Sequence, residues 1–549
     1  MPEFSLRARP PAGTAGPIEK TRDPDILSSY LEDAAHFSGG HARELVTPRS
    51  EADLAEVVRT ARTVLPIGAQ SSLTGGATPM GETIVSTRRL TGIEMIGADR
   101  VRVGAGMTID ALNRAIEAAG RYYPPSPTFS GACVGGTVAT NAAGAATFKY
   151  GTTRDWVDAI TVVLPSGDVL DIERGAIRAR DGRFRLELGA GPIAVPVPEY
   201  RMPASPKLSA GYFAAPGMDL IDLFIGSEGT LGIVTAVTLR VLPVRPAMCV
   251  ALVPFQSEAA ALQFAGAVRC AARETWRTCS RRGVDASAIE YLDPRSLGIL
   301  REDRADQANR IDLPAAAEAA LLVTLELPAG TTAEDAFDQI GRARDANRPD
   351  VPLVNFCAML LDAGVFDDVE MAMPGDASRV SQLAALREAV PAGVNQRVGQ
   401  AKRGFDAAIE KAAADVAVPF DRLEELLSGF RSEAARAGLD AVVWGHVSDG
   451  NLHPNVIART PAEWGAAREA IASIGRLAID LGGVPMAEHG VGRNAIKQEL
   501  LRELYGADGV AQMRAVKRAI DPAWKMAPGV LFPAEPSGMR ATRSVRPSR

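Results

Sequence analysis

Three of the five histidines in this 549-residue chain stand in two short segments, Trp444-Gly445-His446-Val447-Ser448-Asp449-Gly450-Asn451-Leu452-His453-Pro454-Asn455 and Ala487-Glu488-His489-Gly490-Val491-Gly492. Apolar Ala441 to Trp444, the Asp449-Gly450 step and Leu452 to Ile457 predict a β-hairpin, because Asp-Gly is a favoured two-residue turn. With Asp449 and Gly450 as the turn residues, His446 and His453 are expected directly opposite each other. Cross-strand partners share a face with Cβ atoms about 5 Å apart, close enough for two imidazoles to hold one metal ion. Glu488 is the natural third ligand. Two histidines and a carboxylate leave coordination positions open for a reacting molecule and suit Zn²⁺, Mn²⁺ or Fe²⁺. His489, flanked by Glu488 and Gly490, is the candidate general base, since neutral histidine accepts a proton near pH 7.

Other elements must position these groups. A helix is expected from Ser50, where Ser50-Glu51-Ala52-Asp53 resembles a capping box and Leu54, Val57, Val58 and Ala61 follow with helical spacing. A short strand, Val64 to Ile67, leads into the polar loop Gly68 to Ser72. Strands are expected at Thr83 to Ser86 and Val101 to Ala105, and a helix from Thr108 to Gly120 that buries Ile109, Leu112 and Ile116. Ser126 to Gly151 is rich in Gly, Ala, Ser and Thr, too small-sided to build a core but suited to close backbone approach to a ligand. Strands at Ala159 to Leu164 and Ile233 to Val241 flank a polar insertion, Arg174 to Pro206, read as a surface excursion. Past Pro243 and Pro246, strands are expected at Met248 to Val253, Ala320 to Glu326, Val351 to Met359 and Ala441 to His446, and a last long helix from Thr460 to about Gly482. No internal repeat is visible.

The glycine-rich stretches carry a resemblance. Pro66-Ile67-Gly68-Ala69-Gln70-Ser71-Ser72-Leu73-Thr74-Gly75-Gly76, Gly131 to Gly144, Tyr150-Gly151 and Leu223 to Thr235, in that order, resemble the FAD-binding domain of the vanillyl-alcohol oxidase and p-cresol methylhydroxylase (PCMH) family. A diphosphate needs converging N–H donors and little side-chain bulk, which a Gly/Ser loop supplies. The resemblance implies FAD contacts from Ile67, Gly68, Ala69, Gln70, Ser71, Ser72, Pro125, Cys133, Gly135, Gly136, Thr140, Asn141, Gly144, Tyr150, Gly151, Glu228, Gly229 and Ile233. Ala69 and Gln70 depart from the family's run of three glycines.

The second half is similar to the C-terminal FAD-linked oxidase domain of D-lactate dehydrogenases, the glycolate oxidase D subunit and D-2-hydroxyglutarate dehydrogenase. That resemblance assigns metal ligation to His446, His453 and Glu488 and the base to His489. Asn455 is matched to a substrate-side asparagine, and Arg387, in Leu386-Arg387-Glu388, to the arginine that clamps the substrate carboxylate. Ser448 stands where the family commonly has Gly, and the family's Lys-x-Asp-x-x-x-Pro segment is matched only loosely by Lys411 to Pro419. The implied fold is α+β, a two-subdomain PCMH-type FAD-binding domain followed by an α+β cap with an antiparallel sheet. Its expected parts are an extension (1–44), the FAD domain (45–244), the cap (245–500), a segment returning to the flavin domain (501–533) and a disordered tail (534–549).

The implied reaction is FAD-dependent oxidation of a small anionic D-2-hydroxy acid. The metal lowers the hydroxyl pKa, His489 takes the proton, and hydride leaves Cα for the flavin. Two other readings stay open: a flavin-binding subunit without turnover, and a relative like alkylglycerone-phosphate synthase, which typically carries consecutive histidines where this chain has Glu488-His489. A quinone, a cytochrome or an electron-transfer flavoprotein is the expected acceptor. A net charge of −6 offers no field for nucleic acid, and five scattered cysteines form no iron–sulfur motif. Without a signal core or membrane-length apolar window the chain is expected to be cytoplasmic, on its own or peripheral to the inner membrane, and a homodimer is a compatible assembly.

Overall fold

The computed structural model describes residues 5–534 except 126, 407 and 408, so all but the first residue of the expected tail lies outside the described residues. The chain is α+β. Helix Glu51–Thr60 forms where its cap predicts, with Ser50 Oγ accepting from the Asp53 N–H. Its apolar stripe packs Leu54, Val57 and Val58 into a core against Val46, Val64 and Val85. Val64–Ile67 and Glu44–Thr47 run parallel to Thr83–Ser86 in a four-stranded sheet whose edge, Glu19–Thr21, comes from the N-terminal extension. A five-stranded antiparallel sheet follows, with Ile233–Arg240 at its centre between Arg100–Gly104 and Val157–Val163.

The stretch read as a surface excursion is built into the fold. Arg183–Leu188 and Gly191–Pro196 form a hairpin that takes Ser5–Arg7 as a third strand. Its alternate residues Phe184, Leu186 and Val195 are fully buried. The alternation of apolar and charged residues in Arg183–Leu188 is the strand signal that the surrounding polar and proline residues hid.

The second half is organised on an eight-stranded sheet in which every pair is antiparallel. Ala286–Leu292, absent from the sequence expectations, lies inside it between Ala319–Leu327 and Asp440–His446. Val351 to Met359, expected as a strand, is a helix, Pro352–Asp362, with proline in its first turn. An uninterrupted apolar run reads equally as a buried strand or a buried helix. Helices pack on both faces: Glu258–Thr278 and Pro461–Asp480 on one, Pro294–Glu302 and Ala377–Gly404 on the other. Nor is the helix from Thr460 the last. Ala495–Ile520 follows, kinked at Gly506, and returns the chain to the first half. There Met513, Val516, Ile520 and Phe532 join the core of Val101, Ile160 and Leu239, and Val64 and Met526 bridge in parallel.

Candidate active site

The hairpin carrying His446 and His453 forms in a register that differs from the expected one. His446 pairs with Asn451, and Trp444 pairs with His453. Val447–Asp449 coils into a single 3-10 turn that Gly450 closes at φ +82°, so four residues rather than two make the connection. Ser448, the departure from the family glycine, accepts from Arg269 Nε on its carbonyl and from the Ile289 N–H on its hydroxyl. The slip moves each partner by two positions, and because a strand has period two the face is preserved. The imidazoles therefore still meet, with ring centroids 5.3 Å apart.

Glu488 arrives from the other side. Its Oε1 is 3.4 Å from His446 Nε2 and its Oε2 is 3.9 Å from His453 Nε2. All three side chains are buried, and one ligand atom from each lies within 4.8 Å of the others. His446 Nε2, which faces Glu488, is buried without a hydrogen bond among the described residues. A buried, unpartnered ring nitrogen beside a second imidazole and a carboxylate is what a bound divalent ion would satisfy, so the residues fit a metal.

Four charged groups that the sequence reading left unassigned surround this set. Glu290, on the strand Ala286–Leu292, places Oε1 2.8 Å from His446 Nδ1. Burial would lower His446, but the Glu290 carboxylate outweighs it and the ring is pushed up to about 9. Lys207, fully buried in the segment after the Arg183–Pro196 hairpin, donates to Glu488 Oε1 (2.6 Å) and lies 3.1 Å from Asp449 Oδ2. Asp415 accepts from the backbone N–H groups of Glu488 and His489, both at 2.8 Å. Lys497, buried behind the loop, donates to the Gly490 carbonyl. Asp415 lies in the loosely matched Lys411 to Pro419 segment, whereas Glu290, Lys207 and Lys497 come from segments without a motif, so only the fold brings them in.

Arg387 reaches the cluster indirectly. Its guanidinium is held by Glu290 and Glu388, with Nε 3.2 Å from Glu290 Oε2 and Nη1 2.8 Å from Glu388 Oε1. Asn455 shares the face of His453. Its amide donates to the His453 carbonyl, while its Oδ1 is buried without a partner. The His489 ring stacks on His453 at 5.3 Å, and burial lowers its pKa despite the opposing Asp415 carboxylate.

Glu488 and His489 also line a cleft of about 280 Å³, open at its mouth. Its remaining walls are the glycine-rich elements: Ile67 to Ser72, Cys133, Gly135, Gly136, Thr140, Glu228, Gly229 and Ile233. Pro125, Asn141, Gly144, Tyr150 and Gly151 do not line it. Asn141 instead caps helix Val134–Thr140 in the left-handed region, and Tyr150 donates its hydroxyl to Glu326. Along the loop, the backbone N–H groups of Ala69 to Ser72 find no protein acceptor among the described residues. Gln70 adopts φ +55°, and its amide folds away to the Tyr30 and Ala77 carbonyls. That takes the Gln70 amide out of contact with the loop's free N–H groups. A Cβ on Gly136 would meet nothing within 4 Å. Free N–H donors beside a wall that includes Gly68, Gly135 and Gly136 fit a dinucleotide diphosphate.

Glu228 closes the site. Its carboxylate accepts from the Val491 and Gly492 N–H groups, both at 2.8 Å, tying the Glu488-His489 loop to the cleft wall.

Comparison with known proteins agrees with this arrangement. Residues 42–173 match the FAD binding domain model and residues 246–531 the model of the FAD linked oxidases, C-terminal domain. The chain is 27% identical to a D-lactate dehydrogenase of Anaerostipes hadrus over 91% of each chain. It is 28% identical to a D-2-hydroxyglutarate dehydrogenase of Xanthomonas citri pv. viticola over 93% of each. With glycolate oxidase subunit GlcD of Escherichia coli (strain K12) it shares 29% identity over 86% of this chain and 79% of that one. Among solved structures, p-cresol methylhydroxylase with substrate bound superposes with a TM-score of 0.64 at 14% identity, covering 94% of each chain. An alkyldihydroxyacetonephosphate synthase does so with a TM-score of 0.58 at 15% identity, covering 93% of this chain and 82% of that one. The identities to the solved structures are low enough that they speak to the fold alone. An FAD-binding domain followed by the C-terminal domain of the FAD linked oxidases makes this chain a member of that oxidoreductase family.

Proposed function

We propose that this chain oxidises a small D-2-hydroxy acid, of the D-lactate, glycolate or D-2-hydroxyglutarate class, to the 2-oxo acid. The observation that carries the reading is that Glu488 and His489 line the same cleft as the glycine-rich loops, with His446 and His453 against Glu488. Bound FAD supplies the two-electron acceptor, and a divalent ion on His446, His453 and Glu488 supplies the positive charge that acidifies the substrate hydroxyl. His489, kept neutral by burial, receives the hydroxyl proton. Lys207 holds Glu488 from the far side and fixes the carboxylate's orientation. Arg387, held in place by Glu290, and Asn455, beside His453, are assigned to the substrate's carboxylate end. Electrons leave to a quinone, a cytochrome or an electron-transfer flavoprotein.

The test is anaerobic bleaching of the flavin absorbance by D-lactate, glycolate and D-2-hydroxyglutarate, repeated after chelation and after zinc or manganese is returned. Bleaching by at least one acid, lost on chelation and restored by metal, is the expected result. A flavin that stays oxidised against the whole panel would leave a cofactor-binding subunit without turnover.

A further inference from the structure

Asp415, upstream of both histidine-bearing segments in sequence, has no part in the ligand set yet contacts His453, Glu488 and His489. Its side chain is 1% exposed. Oδ2 accepts the Glu488 and His489 N–H groups, and Oδ1 accepts Asn451 Nδ2 at 3.1 Å. The same two oxygens face two imidazoles, Oδ1 at 3.5 Å from His453 Nδ1 and Oδ2 at 3.4 Å from His489 Nδ1. The rings are 18° from parallel, so both turn Nδ1 to one carboxylate. Their Nε2 atoms each lie 3.9 Å from Glu488 Oε2, on the side of the proposed metal. His453 Nδ1 is buried without a hydrogen bond among the described residues, and the Asp415 carboxylate is the acceptor that faces it.

A neutral imidazole has one N–H and one bare nitrogen, and an ionised carboxylate only accepts. A carboxylate set against Nδ1 therefore selects the tautomer with the proton there. We propose that Asp415 is a positioning residue that holds both His453 and His489 in the Nδ1–H tautomer, baring Nε2 of one for the metal and Nε2 of the other for the substrate proton. This rests on the metal and base roles proposed above. The competing arrangement is a second ion on Asp415, His453 and His489, whose ligand atoms also lie within 4.8 Å of one another. The two arrangements differ in the number of zinc ions bound per chain, one against two.

With only five histidines in the chain, selective ¹⁵N-histidine labelling of the FAD-loaded, metal-stripped protein can read each ring, His453→Asn and His489→Asn supplying the assignments. The expected spectrum shows protonated Nδ1 and bare Nε2 for both residues, and zinc uptake of one ion per chain. In Asp415→Asn the amide can keep one backbone N–H while turning its own NH₂ to the rings. The Nε2–H tautomer should then appear, zinc should bind about 10–100-fold more weakly, and kcat should fall with little change in KM. An Nε2–H signal for either ring in the unmodified protein, a second zinc, or an Asp415→Asn variant with unchanged tautomers and zinc affinity would overturn the proposal. If Asp415→Asn loses its FAD, the unmodified protein's spectrum and zinc stoichiometry decide alone. Correct tautomers in a protein that no hydroxy acid reduces would remove the proposed function and leave the role of Asp415 standing.

Discussion

His489 has what a proton acceptor needs, a ring that burial keeps neutral and a face on the cleft. His489→Asn is expected to slow flavin reduction by roughly 10²–10⁴-fold at unchanged FAD content, measured by stopped flow. As the pH falls and the ring protonates, kcat/KM of the unmodified enzyme should fall with it. Lys207 invites a different experiment. Exchanging it for methionine leaves Glu488 and Asp449 buried without their cation, which should cost about 3–5 kcal/mol in chemical denaturation if the fold survives. The histidines and Glu488 were legible in the sequence because rare residue types cluster there. The face they share was legible too, since the hairpin slip conserved parity. Glu290 and Lys207 were not, because an isolated charge in a strand or an extended segment looks like any solvated one until the fold buries it, and Asp415 showed only as part of the loosely matched Lys411 to Pro419 segment.

The loop after Val484 acts as one element through its backbone. Gly492 sits at φ +57°, and a Cβ there would lie 2.3 Å from the Thr74 carbonyl, so Gly492→Ala should abolish FAD retention on gel filtration. Glu228 anchors the same loop, and burial lifts its carboxyl to about 7 against the pull of the Val491 and Gly492 N–H groups. Across the window from about 4.5 to about 7 the folded protein keeps a proton that the unfolded chain releases. Stability from this group is thus complete below the window and lost as pH rises through it, by up to about 3 kcal/mol. Glu228→Gln, which cannot ionise, should flatten that decline in thermal midpoints taken at pH 5 and pH 7.5. Caps and periodicity made helices Glu51–Thr60 and Ile109–Glu117 readable, whereas Pro352–Asp362 failed because fully apolar segments lose the period that tells helix from strand.

Across the whole molecule, the two halves are joined at a partly buried ionic knot. Lys149 donates to Asp285 (2.7 Å) and Glu326 (2.5 Å), and Tyr150 donates to Glu326 (2.7 Å). Glu326→Ala leaves Lys149 with one carboxylate and the tyrosine hydroxyl with none. It should lower stability by about 2–3 kcal/mol and bring FAD release to lower urea, followed by flavin fluorescence. The glycine-rich loops announced the cofactor half in sequence, but the contribution of the distant C-terminal residues to its core is a property of the closed chain. Met513, Val516, Ile520 and Phe532 complete that core. A ribosome making this protein therefore finishes the N-terminal half long before the residues that seal it exist. At ~5–20 residues per second the wait from Leu242 to Phe532 is about 15–60 s. Throughout that interval the nascent nucleotide fold exposes an unfilled apolar seam, a natural client for chaperones, and premature termination anywhere in the second half would strand it in that state.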